Sequence, residues 1–285
     1  MKLGIAMFPT SEATPASEVA VAAEERGIES IFLAEHSHIP ASRETPYPGG
    51  GDLPPDYYHS WDPFVTLAHV AAKTTTIRLG TGACLITQRD PIQLAKETAT
   101  LDVVSDGRVL LGVAAGWNVE ELRNHGTDPD HRFAVMGERI QAIREIWSKD
   151  DAEFHGRYVN FDPIWAWPKP VQQPGPPVLV GGNGPRIVDR VVAFGDEWMP
   201  NFWRVADLPA RIIELQKKAA DAGRSPIPVT AYAAPNDAAK LGALEEAGVG
   251  RAVLIVPAGS KDDTLRLLDS FAATAAQLAQ HGSTD

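Results

Sequence analysis

Short apolar runs alternate along this chain with longer amphipathic segments, and the alternation recurs about eight times. A strand buried on both faces is an unbroken apolar run, whereas a helix covering it shows a single apolar stripe. The pattern therefore describes parallel strands sheathed by helices. The candidate strands are Leu3 to Phe8, Ser30 to Ala34, Ile77 to Ile86, Val109 to Val113, Pro177 to Gly181, Glu197 to Asn201, Pro228 to Ala233 and Ala252 to Val256. Eight βα units close into a (β/α)8 TIM barrel, an α/β fold of roughly 250 residues. The 285 residues fill one such domain, 1–285, with length to spare for extended loops at the C-terminal face.

Helix punctuation agrees. Asp62-Pro63 and Asp90-Pro91 each set an N-cap acid before a proline at the first helical position. After the first, Phe64, Leu67, Ala68 and Ala71 recur with helical spacing and define a core face. Met136, Ile140, Ile143 and Trp147 mark a helix after the fourth strand, and Leu265, Leu268, Phe271, Ala275 and Leu278 mark the last. Gly27, Gly195 and Gly223 are expected to end helices in the left-handed conformation. Two stretches exceed plain connections: 40–60, rich in Pro, Gly and Tyr, and 153–176, which carries Trp165 and Trp167. The first follows a strand and is expected to be a lid over the end of the barrel where such folds build their sites.

A formal charge of −11 and a pI near 5.2 argue against nucleic-acid or anionic-membrane partners, which are themselves negative. A small molecule is the expected ligand. The single Cys84 forms no internal disulfide, the N-terminal residues turn polar too early for a signal peptide, and no run approaches 18 apolar residues. A cytoplasmic enzyme is the expectation.

The strand ends carry Glu35-His36-Ser37-His38, Gly82-Ala83-Cys84, Gly116-Trp117-Asn118 and Gly181-Gly182-Asn183-Gly184. A carboxylate next to a histidine tunes its protonation near neutral pH, so Glu35 and His36 are the candidate acid/base pair. His36 and His38 also spell an H-x-H metal pair. The other strand ends offer no further His and no convincing Asp to complete a coordination shell, so a metal-dependent hydrolase is the weaker reading. Cys84, inside an apolar strand, reads as a small buried hydrophobe. Gly181 to Gly184 run from a strand into the helix bearing Ile187, Val191 and Phe194. That arrangement aims backbone N–H groups at a phosphate, with Arg186 adding an ion pair. Trp117, Trp165, Trp167, Trp203 and Tyr57 are candidates for lining an apolar pocket.

With these residues in place, the chain resembles the luciferase-like superfamily, particularly its branch dependent on the deazaflavin coenzyme F420. The carrying residues are Phe32-Leu33-Ala34-Glu35-His36, then Ile77-Arg78-Leu79-Gly80-Thr81-Gly82 with Arg89-Asp90-Pro91, and Leu101-Asp102-Val103-Val104-Ser105-Asp106-Gly107-Arg108. The resemblance implies a cis peptide between Gly82 and Ala83 that supports the cofactor ring, with Gly116, Trp117 and Asn118 bordering it. It further implies that Gly181, Gly182, Asn183 and Gly184 hold the phosphate, and that relatives pair as homodimers. In some deazaflavin enzymes of this family a glutamate stands where this chain has Trp117, which argues against their sugar-phosphate substrate. The implied reaction is hydride transfer between a small organic substrate and the deazaflavin, with His36 handling the proton and Glu35 orienting or charging His36. An FMN-dependent monooxygenase on the same fold is the nearest alternative, and a noncatalytic flavin- or deazaflavin-binding protein is an alternative of another class.

Overall fold

The computed structural model describes residues 1–281. Its strands are β1 (Lys2–Met7), β2 (Ser30–Leu33), β3 (Arg78–Thr81), the two-residue β4 (Cys84–Leu85), β5 (Val109–Ala114), β6 (Ala152–His155), β7 (Asn160–Ile164), β8 (Val178–Gly181), β9 (Glu197–Met199), β10 (Thr230–Tyr232) and β11 (Arg251–Ile255). The helices are α1 (Ala16–Glu25), α2 (Asp56–His59), α3 (Pro63–Ala71), α4 (Pro91–Val104), α5 (Val119–Asn124), α6 (Arg132–Ser148), α7 (Ile187–Phe194), α8 (Leu208–Asp221), α9 (Ala238–Glu246) and α10 (Lys261–His281).

Among the described residues, eight parallel strands run in the order β10-β11-β1-β2-β3-β5-β8-β9. Single parallel pairings, Trp198 with Val229 and Asn201 with Tyr232, join the ends into a nearly closed TIM barrel. Alternation along each strand divides the core in two. Ala6, Phe32, Leu110, Leu179, Met199 and Val253 fill the barrel, while Ile5, Ile31, Leu33, Leu111 and Val180 face the helices. Gly80 leaves the space that the Phe32 ring occupies, since a Cβ there would lie 2.3 Å from Phe32 Cδ1. The expected strand from Ile77 to Ile86 is interrupted. The chain turns at Gly82–Ala83, whose peptide bond is cis, and β4 then pairs with the far end of β5.

Asp62 and Asp90 cap α3 and α4 through the N–H groups of Val65 and Gln93, each at 2.9 Å, with proline at the first helical position. Gly27 and Gly223 take the left-handed conformation at helix ends, with φ of 73° and 69°. Gly195 does not. Its backbone is extended at φ −93°, and it is a glycine for packing, because a Cβ would lie 2.8 Å from Val180 Cγ2.

The two long segments part company. Residues 40–60, with the single-turn α2, lie on the C-terminal face, where Ser60 Oγ donates to the His36 carbonyl and Tyr57 packs on Phe8. Residues 153–176 contain the antiparallel β6–β7 hairpin and then run to the opposite end, where Gln172 bonds Asp102 and Arg78. Trp165 and Trp167 are consequently exposed on the outside of the barrel and line no site. No helix among the described residues is long and apolar enough to cross a membrane.

Candidate active site

A cavity of about 410 Å³ opens at the C-terminal ends of the strands. That volume lies within the range of small-molecule sites, roughly 300–1,000 Å³. Backbone forms much of it: Gly82 and Ala83 at the cis bond, Ala114 to Gly116 after β5, and Gly181 to Asn183 after β8. Tyr47 and Tyr57 from the lid, Trp117 and Tyr232 add flat aromatic faces. Such a slot, with glycines where a ring must lie against main chain, fits a planar tricyclic cofactor.

His36 sits one layer behind this wall. It is buried, and its Nδ1 lies 2.9 Å from Oε2 of Glu121, a carboxylate with no exposed side-chain surface. Its Nε2 accepts the indole N–H of Trp117 at 3.2 Å. An indole N–H only donates, so the ring as placed carries its hydrogen on Nδ1 and gives it to Glu121. The Tyr57 ring lies 5.2 Å from the imidazole and completes the cover.

The carboxylate that orients His36 is therefore that of Glu121, and not of Glu35 as the adjacent sequence implies. Successive side chains at a strand end point to opposite sides. Glu35 accordingly turns outward, accepting Arg89 Nε at 2.6 Å and the Leu85 N–H at 2.7 Å. It ties the chain just after the cis bond to Arg89, whose guanidinium also pairs with Asp62 and Glu97. Buried beside Glu35, the Cys84 thiol is pushed up in pKa, first by desolvation and then by that carboxylate, so it stays protonated. His38 turns away from His36 to Ser37 Oγ and Asn124 Nδ2, both at 2.9 Å, so the two imidazoles of the H-x-H pair do not converge.

Of the residues expected to border a cofactor, Gly82, Ala83, Gly116, Trp117, Gly181, Gly182 and Asn183 line the cavity. Asn118 does not; it caps α5, its Oδ1 accepting the Glu121 N–H at 3.0 Å, and so sets the register that delivers Glu121 to His36. Gly182 has φ of 138°, a conformation glycine adopts most readily, and a Cβ there would press on Ile187 at 3.2 Å. Asn183 clasps Asn201 through both its backbone N–H and its carbonyl, locking the β8 loop to the β9 loop. Gly184 and Arg186 lead into α7 outside the cavity wall.

Of the arginines here, the sequence pointed to Arg186 but not to Arg132 or Arg190. The guanidinium of Arg190 lies 3.6 Å from the centroid of Phe133, a cavity-lining ring, and that of Arg132 lies 4.7 Å from it. Burial, and next the charges of Arg186 and Arg132, hold the Arg190 pKa below its ordinary value, so three cations gather at one edge of the site. The acid nearest in sequence, Asp189, is engaged by Lys218 at 2.5 Å. Among the described residues Arg132 Nε is buried without a partner, as is Oδ1 of the lining residue Asn201. Tyr57 and Tyr232 remain protonated, their pKa values raised by burial. Trp203 is exposed beside the mouth and outside the lining.

Residues 1–239 match the family model described as Luciferase-like monooxygenase. The chain belongs to the luciferase-like monooxygenase family. It is 37% identical over 278 residues to an uncharacterized protein of Mycobacterium tuberculosis, covering 96% of this chain and 98% of that one. An F420-dependent glucose-6-phosphate dehydrogenase of Amycolatopsis mediterranei is 33% identical over 183 residues, 63% of this chain and 50% of its own length. An FMNH2-dependent dimethylsulfone monooxygenase of Pseudomonas putida is 30% identical over 164 residues, 56% of this chain and 45% of its own. Relatives thus use a deazaflavin in one case and a flavin in another.

Proposed function

We propose that this chain is an F420-dependent oxidoreductase acting on a small organic substrate. The observation that carries the choice over FMN is the cluster of Arg132, Arg186 and Arg190 beside the Gly181–Gly184 loop, with none of the three in an ion pair among the described residues. FMN ends in one phosphate, which backbone N–H groups and a single arginine satisfy. The deazaflavin coenzyme continues past its phosphodiester into a chain of carboxylates, and three guanidinium groups match that extended anion.

The deazaflavin, when bound, supplies hydride transfer. The protein's part follows from its own groups. Gly82 and Ala83 offer a backbone floor, Trp117 a wall, and the lid tyrosines a cover against water. His36 acts through Trp117: with Glu121 on Nδ1 and the indole on Nε2, it fixes the wall's orientation rather than meeting the substrate. The phenol of Tyr232, protonated by burial, is a hydrogen-bond donor available to a substrate oxygen, whereas Tyr57 gives its hydroxyl proton to Tyr47. The reading includes a homodimer, twofold pairing being the commonest form of soluble oligomer, and sedimentation velocity at micromolar concentration is expected to show twice the 30.7 kDa chain mass.

Parallel calorimetric titrations with F420 and FMN test the reading. F420 is expected to bind at least about tenfold more tightly, or 1.4 kcal/mol, with Arg190→Ala erasing most of the difference. Tighter binding of FMN, with oxygen consumed by the reduced complex, would instead establish a monooxygenase.

A further inference from the structure

The cavity has one charged side chain in its lining, Arg204, and no acid. Arg204 stands in the short turn after β9 and is exposed to the cavity mouth. Among the described residues its guanidinium makes no ion pair and no side-chain hydrogen bond, although the chain has 37 acidic residues against 26 basic ones. Arg204 lines the cavity itself, whereas Arg132, Arg186 and Arg190 stand outside the lining, two of them behind the Phe133 ring. Close by, Tyr57 Oη donates to Tyr47 Oη at 3.3 Å, which leaves the Tyr47 hydroxyl proton free for a ligand. Around these donors the surface is flat and apolar: Tyr47, Tyr57, Trp117, Tyr232 and Met199.

We infer that the substrate of this site is a small monocarboxylic acid with a planar unsaturated or aromatic body, its carboxylate held by Arg204 and the Tyr47 hydroxyl. A guanidinium fork matches a carboxylate in shape, and a lone guanidinium neutralises one negative charge. The aromatic walls take a flat body through stacking and burial. The inference rests on the reading of this cavity as a flavin- or deazaflavin-type active site, in which the cofactor's anion goes to the other cationic cluster.

Calorimetric titration of trans-cinnamate and its uncharged amide, trans-cinnamamide, tests it on the wild-type protein and on Arg204→Gln, each with and without bound cofactor. Wild type is expected to bind cinnamate at least about tenfold more tightly than the amide. In Arg204→Gln that preference should vanish while amide affinity and cofactor affinity each stay within about twofold, since only the charge is removed. Equal affinities in wild type, or a preference that survives the substitution, overturn the assignment. A parallel loss of cofactor affinity in Arg204→Gln also overturns it, because Arg204 would then belong to the cofactor's anion. If wild type binds neither F420 nor FMN, the cofactor reading falls by itself, and the cinnamate preference is still scored on the protein alone.

Discussion

Two groups of arginines in the barrel are used in opposite ways. At the N-terminal end, Arg251 donates to Glu29, Glu197 and Thr230, Arg78 to two carbonyls and Gln172, and Arg108 to four groups of the α3–β3 turn besides Ser105. At the C-terminal end Arg89 is likewise tied to Glu35, Asp62 and Glu97, but Arg186, Arg190 and Arg204 make no ion pair among the described residues, and Arg132 keeps a buried Nε without a partner. Desolvating a cation is costly unless the fold supplies acceptors, so the first group has the character of structure. The second group leaves its donors to a ligand, as expected where barrel enzymes bind.

The largest expected effect sharpens this contrast from the structural end. Arg251→Met strands the partly buried carboxylates of Glu29 and Glu197 and should cost about 3 to 5 kcal/mol of stability by urea denaturation, with turnover per folded molecule unchanged. Full stability in that variant would break the comparison.

Next in size is His36→Ala, expected to lower turnover by about 100-fold with cofactor affinity within a few-fold, the scale of a misplacement of about 1 Å at a reacting centre. Glu121→Gln, which keeps the shape but removes the charge facing Nδ1, should reproduce part of that loss and alter the pH profile. If His36→Gln restores turnover by again accepting the Trp117 N–H, the histidine is a positioning residue; if not, it handles the proton itself.

Gly182→Val is expected to weaken cofactor binding by at least about tenfold, or 1.4 kcal/mol, in a protein that stays folded. The reason is the added bulk at φ 138° beside Ile187. Unchanged affinity by calorimetry would remove the β8 loop from the cofactor site. Gly195→Ala is the contrasting substitution. Because its Cβ meets Val180, it should lower the melting temperature without changing affinity.

The smallest effect is one of pH, at the N-terminal end. Burial raises the Glu24 pKa, but the N–H groups of Thr76, Ile77 and Thr75 and the Thr76 hydroxyl outweigh it and hold the carboxylate at about 2, against 4.5 unperturbed. A depressed folded-state value means that its stabilisation is complete above pH 4.5 and is lost as pH falls from there through about 2. Glu24→Gln should therefore flatten the acid side of the stability profile in that window, leaving affinity at the far end of the barrel untouched.

How far the sequence could be read follows from the range of each interaction. Strand and helix periods, the proline-led caps at Asp62 and Asp90, and the glycines at 27 and 223 are set within a few residues, and they stand in the fold where the pattern puts them. Gly195 fails the same rule because its reason lies in a packed neighbour on β8. In the site, seven of the residues named from strand ends line the cavity, since a strand's end fixes which face its loop occupies. Asn118 followed by Glu121 has the spacing of a capping box, which flags a helix start but not a histidine partner.

From its order alone, the chain determined the barrel, the face that carries the site and the glycine-lined backbone around it. All of these follow from local periodicity and from the conformations that Gly and Pro allow. Only the tertiary structure decided that His36 pairs with Glu121, 85 residues away, while Glu35 next door turns to Arg89. It likewise decided that Arg132 and Arg190 share the face of Phe133. Those partnerships depend on which side chains a closed barrel brings within hydrogen-bond or ring-contact distance, and closure joins residues from separate βα units at one rim. No spacing along the chain records that distance.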